Sequence, residues 1–240
     1  MRLAAITDVH ALSPALSSAI AAARQEGFDR MIIMGDLLTY GVTPQETLDL
    51  VHDAVTNHAA VILKGNHDCL YLDLISKGRS DYLDKLPDWL RASVEWTAER
   101  IDGAAFAAQP WRETWGSGSL LAAHANPFAF GDWTYLENDE TLERAADAVG
   151  RAGARHGIFG HTHRRRSHTG KHSQVHVLAA LGQPRDLDDP VPQWTMIDLQ
   201  GDNITLSPRR IDFDRDAHRR AIAATSLPSE TKSRLCKYFM

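Results

Sequence analysis

Five short apolar runs frame this chain, and each ends in a polar group. Arg2-Leu3-Ala4-Ala5-Ile6 leads into Thr7-Asp8-Val9-His10, and Met31-Ile32-Ile33-Met34 into Gly35-Asp36. Val61-Ile62-Leu63 precedes Gly65-Asn66-His67-Asp68. Leu120-Leu121-Ala122-Ala123 precedes His124, and Gly157-Ile158-Phe159 precedes Gly160-His161-Thr162-His163. Runs this short, bounded by turn residues, read as buried strands. Helical patterns lie between the first three. Ser13-Pro14 reads as an N-cap followed by proline, after which Leu16, Ala19, Ile20 and Ala23 recur at helical spacing until Gly27. Thr43-Pro44-Gln45-Glu46 has the form of a capping box that opens a second helix through about Val55. Such alternation builds βαβ units with helices outside a sheet.

The rest of the chain follows suit. Residues 70–100 read as helices beside the ligand edge, 112–115 and 119–124 as strands, and 139–151 as a helix with the apolar stripe Leu142, Ala145, Ala146 and Val149. Beyond His163 come alternating strands at 174–180, 193–199 and 203–211, the last two joined by a Gly201-Asp202 hairpin, and then a helical tail over 212–240. The expected fold is α/β, a four-layer α/β/β/α sandwich of two packed mixed sheets flanked by helices, in a single domain over 1–240. In layered sheets the loops beyond the strand ends share one edge, where ligands bind. The five polar groups are therefore expected to converge.

Composition narrows the function. The 240 residues are 43% hydrophobic and 24% charged, as in ordinary globular chains. Lys and Arg number 26 against 31 Asp and Glu, a net charge of −5, which gives no global attraction to nucleic acid or anionic membrane. Arg164-Arg165-Arg166 lacks interleaved aromatics and reads as a solvated hairpin. No apolar run approaches the ~20 residues of a membrane span. With no signal-like start and only Cys69 and Cys236, the chain is expected to be cytoplasmic, without disulfides, and Cys69 a bystander thiol. The sequence leaves oligomeric state open.

The polar groups carry the chemistry. Asp8 and His10 stand two apart, as do His161 and His163, on segments read as extended. Asp36 has two oxygens with which to bridge a pair of ions, Asn66 an amide oxygen and His124 an imidazole. Mixed imidazole and oxygen ligands suit divalent transition metals, and seven ligands with one shared fit a two-metal site that clamps a phosphoryl group. Arg185 offers a bidentate fork to a substrate phosphate, with Asp186 to fix it, or else belongs to a surface turn between Pro184 and Pro190. His168, His172 and His176, like His52, His58 and His218, read as surface residues. Trp133 and Tyr135 could stack on a substrate base, with core packing the favoured reading.

In order, Asp8-Val9-His10, Gly35-Asp36, Gly65-Asn66-His67-Asp68, His124 and Gly160-His161-Thr162-His163 resemble the five blocks of the calcineurin-like metallophosphoesterase superfamily. Gly35 to Gly41, Gly182-Gln183-Pro184-Arg185-Asp186 and the tail from Asp212 further resemble its small bacterial and archaeal phosphodiesterases, often labelled diadenosine tetraphosphatase-like. The resemblance implies a hydrolase with two divalent ions (Mn, Fe, Zn or Ni, with Mn favoured) and a metal-bridging hydroxide as nucleophile. Asp8, His10, Asp36 and His163 would hold one ion, and Asp36, Asn66, His124 and His161 the other. His67 would serve the leaving oxygen, with Asp68 orienting its ring and favouring its charged form. The implied substrate is a small phosphorylated metabolite, possible nucleotides included, and a phosphodiester before a monoester. A metal-retaining binding scaffold with little turnover is the reading from another class. The chain departs from the family pattern at Ala11-Leu12, at Ala125-Asn126 after His124, and at Leu178-Ala179-Ala180-Leu181. These positions lie near the substrate, so specificity is not carried over.

Overall fold

In this computed structural model, residues 1–186 and 190–239 are described. Strands β1 (Arg2–Ile6), β2 (Arg30–Ile33) and β3 (Val61–Ile62) pair in parallel, each joined to the next by a helix, α1 (Ser13–Glu26) and α2 (Pro44–His58). The antiparallel hairpin of β9 (Gln193–Gln200) and β10 (Asn203–Arg210) completes this first sheet on the far side of β1, in the order β10-β9-β1-β2-β3. The second sheet runs β4-β5-β6-β8-β7, from β4 (Thr114–Ser117), β5 (Leu120–Ala123), β6 (His156–Phe159), β7 (Arg166–Thr169) and β8 (Gln174–Val177). Its central pairs are parallel and its edge pairs antiparallel, so both sheets are mixed, as expected.

Strand alternation sorts the core into layers. Leu3, Ala5, Ile32, Met34, Val61 and Leu63 face one way and pack with Leu120, Ala122 and Ile158 of the second sheet. Their neighbours Ala4, Ile6, Met31, Ile33 and Ile62 face the other way, onto α1 and α2. On the outer face of the second sheet, α6 (Asp139–Arg151) lays its predicted stripe Leu142, Ala145, Ala146 and Val149 against Phe159, Val175 and Val177. The result is the four-layer α/β/β/α sandwich.

Helices α3 (Asn66–Lys77), α4 (Asp88–Ala98) and α5 (Gly103–Ala107) add Leu70, Tyr71, Leu90, Val94 and Phe106 to the same cluster as α1 and α2. The tail helices α7 (Arg215–Ala224) and α8 (Ser229–Cys236), the turn between them and a closing helical turn at Lys237–Phe239 add Ile222, Leu227, Leu235 and Phe239. Of the tail over 212–240, Met240 lies outside the described residues. Among the described residues no helix is long and apolar enough to cross a membrane.

Several local expectations are corrected. Ser13 does not cap α1, and Thr43 makes no side-chain cap on α2. The Thr43 hydroxyl instead donates to Ala11 O at 2.8 Å and accepts from Ser13 N at 3.0 Å, which ties both helix starts to the loop after His10. A tertiary partner outcompetes the local one. His176 and His218, read as surface residues, are buried. His176 bonds Ser167, and His218 packs between Phe213 and Phe239.

Candidate metal centre

The five strand-end groups do converge. Asp8, His10 and His163 bring one ligand atom each within 4.8 Å of one another, and Asp36, His124 and His161 do the same. The two groups adjoin. Asp36 Oδ2 lies 3.5 Å from His124 Nε2 and 3.9 Å from His10 Nε2, and Asp8 Oδ1 is 3.4 Å from His163 Nε2 and 3.9 Å from His124 Nε2.

The backbone that presents these side chains is not extended. Asp8, His10, Asp36, His161 and His163 all lie in the left-handed region, with φ of +52°, +49°, +52°, +69° and +59°. Alternating left-handed residues, rather than strand pleating, aim Asp8 and His10 together. The same device sends His161 and His163 to different groups. Such dihedrals are costly outside glycine and gather at functional sites. Ala11 also adopts φ +50°. Two glycines permit the close approach: a Cβ on Gly65 would overlap Asp36 Oδ1, and one on Gly160 would overlap Thr7 Oγ1.

Each histidine of the two groups has one ring nitrogen on a backbone carbonyl. The Nδ1 atoms of His10, His163 and His124 meet Leu38 O, Gln183 O and Met34 O at 2.9, 2.8 and 2.6 Å, and His161 Nε2 meets Trp133 O at 3.0 Å. A carbonyl only accepts, so these nitrogens carry protons, and in His10, His161 and His163 the opposite nitrogens present lone pairs. Burial pushes His10 and His161 down to about 3, and burial with Arg185 holds His163 well below the usual range. His10 Nε2 and His163 Nε2 therefore face each other as lone pairs at 3.1 Å. Two neutral acceptors at that distance repel, and a shared cation resolves the contact. Asp8 Oδ1, Asn66 Oδ1 and His124 Nε2 are likewise buried without a hydrogen-bond partner. The donor set fits divalent metal ions.

The charged groups agree. Burial and the Asp36 charge, only partly offset by His124, raise Asp8 to about 6. Burial would raise Asp36 too, but His124, His67 and His10 outweigh it and keep Asp36 well below its usual value. Burial would lower His124, yet Asp36 and Asp8 together lift it to about 10.

Asp68 is placed otherwise than expected. Its Oδ2 accepts from Asp36 N at 2.7 Å and Gly65 N at 2.8 Å, and its Oδ1 from Leu37 N at 3.0 Å. The carboxylate holds the two ligand loops together, while His67 Nδ1 is buried without a partner. Burial lowers His67 despite Asp36, so its charged form is not the favoured one. The His67 ring stands 5.4 Å from that of His10, and the His67 backbone N–H donates to Asp36 Oδ1 at 2.9 Å. Asp186 does not fix Arg185 either: its Oδ2 accepts from Arg165 N at 3.3 Å. Gln183, which the sequence reading passed over, accepts from the Arg185 guanidinium through Oε1 and from His163 through its carbonyl. Tyr135, expected in the core, is 43% exposed and stacks on His161 at 4.3 Å and 9°. Asn126, one of the departures, accepts from Phe128 N and donates to the carbonyls of Asp132 and Thr134. It thereby shapes the loop whose Trp133 carbonyl meets His161. Cys69 is no reactive thiol, since burial and then Asp68 push it up to about 12.

The sequence profile of the calcineurin-like phosphoesterases matches residues 1–165. The chain belongs to that family. This chain is 27% identical over 142 residues to an uncharacterised protein of Methanocaldococcus jannaschii, a match spanning 57% of this chain and 54% of that one, so it covers about half of that relative's length. Two solved structures share its fold over nearly its whole length. A metallophosphoesterase from Sphaerobacter thermophilus superposes with a TM-score of 0.74 at 22% identity, covering 99% of this chain and 100% of that one. A hypothetical protein from Pyrococcus horikoshii superposes with a TM-score of 0.82 at 16% identity, covering 98% and 97%. The chain thus combines membership of a family that uses divalent metals with two groups of side chains that could hold them.

Proposed function

We propose that this chain is a dinuclear metal-dependent phosphohydrolase of one domain that cleaves a small phosphodiester in the cytoplasm. The pair of adjoining ligand groups, with Asp36 reaching both, carries the reading. Asp8, His10, Asp36 and His163 would hold one ion and Asp36, Asn66, His124 and His161 the other, with manganese favoured. Bound there, two such ions supply Lewis acidity toward the phosphoryl oxygens and lower the pKa of water.

The remaining steps belong to the chain's own residues. Backbone carbonyls of Leu38, Gln183, Met34 and Trp133 fix which ring nitrogen of each histidine faces the site, so the rings keep their orientation on loading, and His124 would release its Nε2 proton. Asp68 is a positioning residue that sets the Asp36 turn against Gly65. His67, beside His10, donates a ring N–H hydrogen bond to the departing oxygen and stabilises the charge that develops there. Arg185, steadied by Gln183, meets the substrate phosphate. The cleft beside the site is open and has a volume of about 680 Å³, which leaves room for a second ester group and supports a diester.

The deciding experiment is turnover of bis(p-nitrophenyl) phosphate against p-nitrophenyl phosphate by metal-stripped protein reloaded with manganese. The diester should be preferred. Preference for the monoester would overturn the diester assignment, and no turnover of either with both ions bound would overturn the hydrolase itself.

A further inference from the structure

The cleft has an unusual lining. Among its eleven described lining residues five are aromatic, in a chain that is 8% aromatic, and none is a carboxylate although the chain is acidic. Tyr40, Trp89 and Tyr238 form a connected set of rings. Tyr40 lies 6.4 Å from Trp89 and 6.5 Å from Tyr238. Tyr82 and Tyr135 remain 38% and 43% exposed. Rings left in water beside a reactive site mark a surface that meets a partner.

The rings also connect the cleft to the metal centre. Tyr40 stands 4.7 Å from His10 and 5.3 Å from His67, and Tyr82 stands 6.0 Å from His67. Arg164, Arg185 and Lys237 supply three cations to the same cleft. Arg185 places its guanidinium 5.9 Å over the Tyr238 ring, and its Nε is buried without a partner. Lys237 and Tyr238 come from the closing turn of the tail, which Phe239 anchors among His218 and Phe213.

We infer that the tail residues Lys237 and Tyr238 complete a specificity site for a phosphate ester carrying both a flat aromatic ring and a second anionic group, as a nucleoside polyphosphate does. The inference rests on the ligand cluster being the phosphoester-cleaving centre. Rings alone would suit any apolar leaving group, and cations alone any polyanion; their interleaving selects the combination. Tyr238, stacked under Arg185, offers a face for a base, and the cations lie where a phosphate beyond the reacting one would run.

The test is calorimetric titration of the manganese-loaded protein with α,β-methylene adenosine diphosphate, which carries a ring and charge, and with methylenebisphosphonate, which carries charge alone. The ring-bearing analogue should bind at least about tenfold tighter, the scale of one base–aromatic stack. Tyr238→Ala should remove most of that advantage, and Tyr238→Phe, which keeps the ring, should restore it. Lys237→Gln should weaken both ligands severalfold. Equal affinity for the two ligands would overturn the inference, as would a Tyr238→Ala chain that binds the analogue within twofold of the unaltered one. No turnover enters this titration. A chain that binds the analogue selectively yet hydrolyses neither nitrophenyl ester would lose the hydrolase reading, and with it the specificity role, and keep only a binding site for ring and charge together.

Discussion

Asp68→Asn separates two roles for one carboxylate. Asp68 accepts three backbone N–H groups, two at Oδ2 and one at Oδ1. An asparagine that puts its carbonyl at the Oδ2 position keeps Asp36 N and Gly65 N, and turns its NH₂ toward Leu37 N. One buried donor then faces another donor, and the two retained bonds lose their charge assistance. Leaving a buried donor unmade costs about 1–3 kcal/mol, so the expected loss is about 2 kcal/mol. Asp68→Ala orphans all three donors and should cost roughly twice as much. In a chain of this size 1 kcal/mol moves Tm by about 2–4 °C, which predicts a drop of about 4–8 °C for the asparagine variant. Scanning calorimetry on the metal-free protein reads this directly. Metal analysis should then show weakened loading, because the Asp36 turn is no longer held. Were Asp68 instead the partner of the His67 ring, Asp68→Asn would alter the pH profile of turnover and leave Tm alone. A Tm within 1 °C of the unaltered chain, with full metal content, would refute the reasoning.

Three further outcomes are expected. His67→Ala should lower turnover by roughly two to three orders of magnitude with metal content unchanged, the scale of one lost hydrogen-bond donor to a developing oxyanion; loss of metal in that variant would count against its place outside the ligand set. Asp36→Asn should weaken loading of both ions, as measured by elemental analysis after dialysis, since its Oδ2 reaches both groups. His218 is held down to about 4 by burial, below its ordinary 6.5, so the folded state is favoured above pH 6.5 and loses that contribution as pH falls toward 4. Linkage puts the loss at pH 5 near 2 kcal/mol, and His218→Phe should flatten the fall in urea stability between pH 7.5 and 5 by about that amount.

The sequence showed more of the ligand inventory than of the geometry that uses it. Asp8, His10, Asp36, Asn66, His124, His161 and His163 stood out as candidates because each stands just past an apolar run, and the fold gathers the six Asp and His residues among them into the two groups. The left-handed turns that aim them were not legible. A non-glycine residue at positive φ leaves no mark in composition, and Ala11, with no polar or glycine signal of its own, adopts the same conformation. Asp68 was misjudged because two of its three partners lie 31 and 32 residues away on another loop, and a motif suggests only its neighbours. Thr43 failed as a cap for the same reason. Gln183 and the cleft rings Tyr40, Tyr82 and Tyr238 come from four separate stretches, so no local pattern could have gathered them.

The separation between His10 and His163, 153 residues, has a consequence in time. At synthesis rates of about 5–20 residues per second, roughly ten to thirty seconds pass between the emergence of these two side chains. For most of that interval Asp8, His10 and Asp36 can be braced by the 35–38 loop, but His163 and the Gly182 N–H that meets Asp8 O are still missing. On the proposed reading a cation caught early would have at most three of the four ligands of its site and would be held more weakly. The choice of metal would then be completed only once the second sheet has folded, and so by the supply of ions around a finished chain rather than around a growing one.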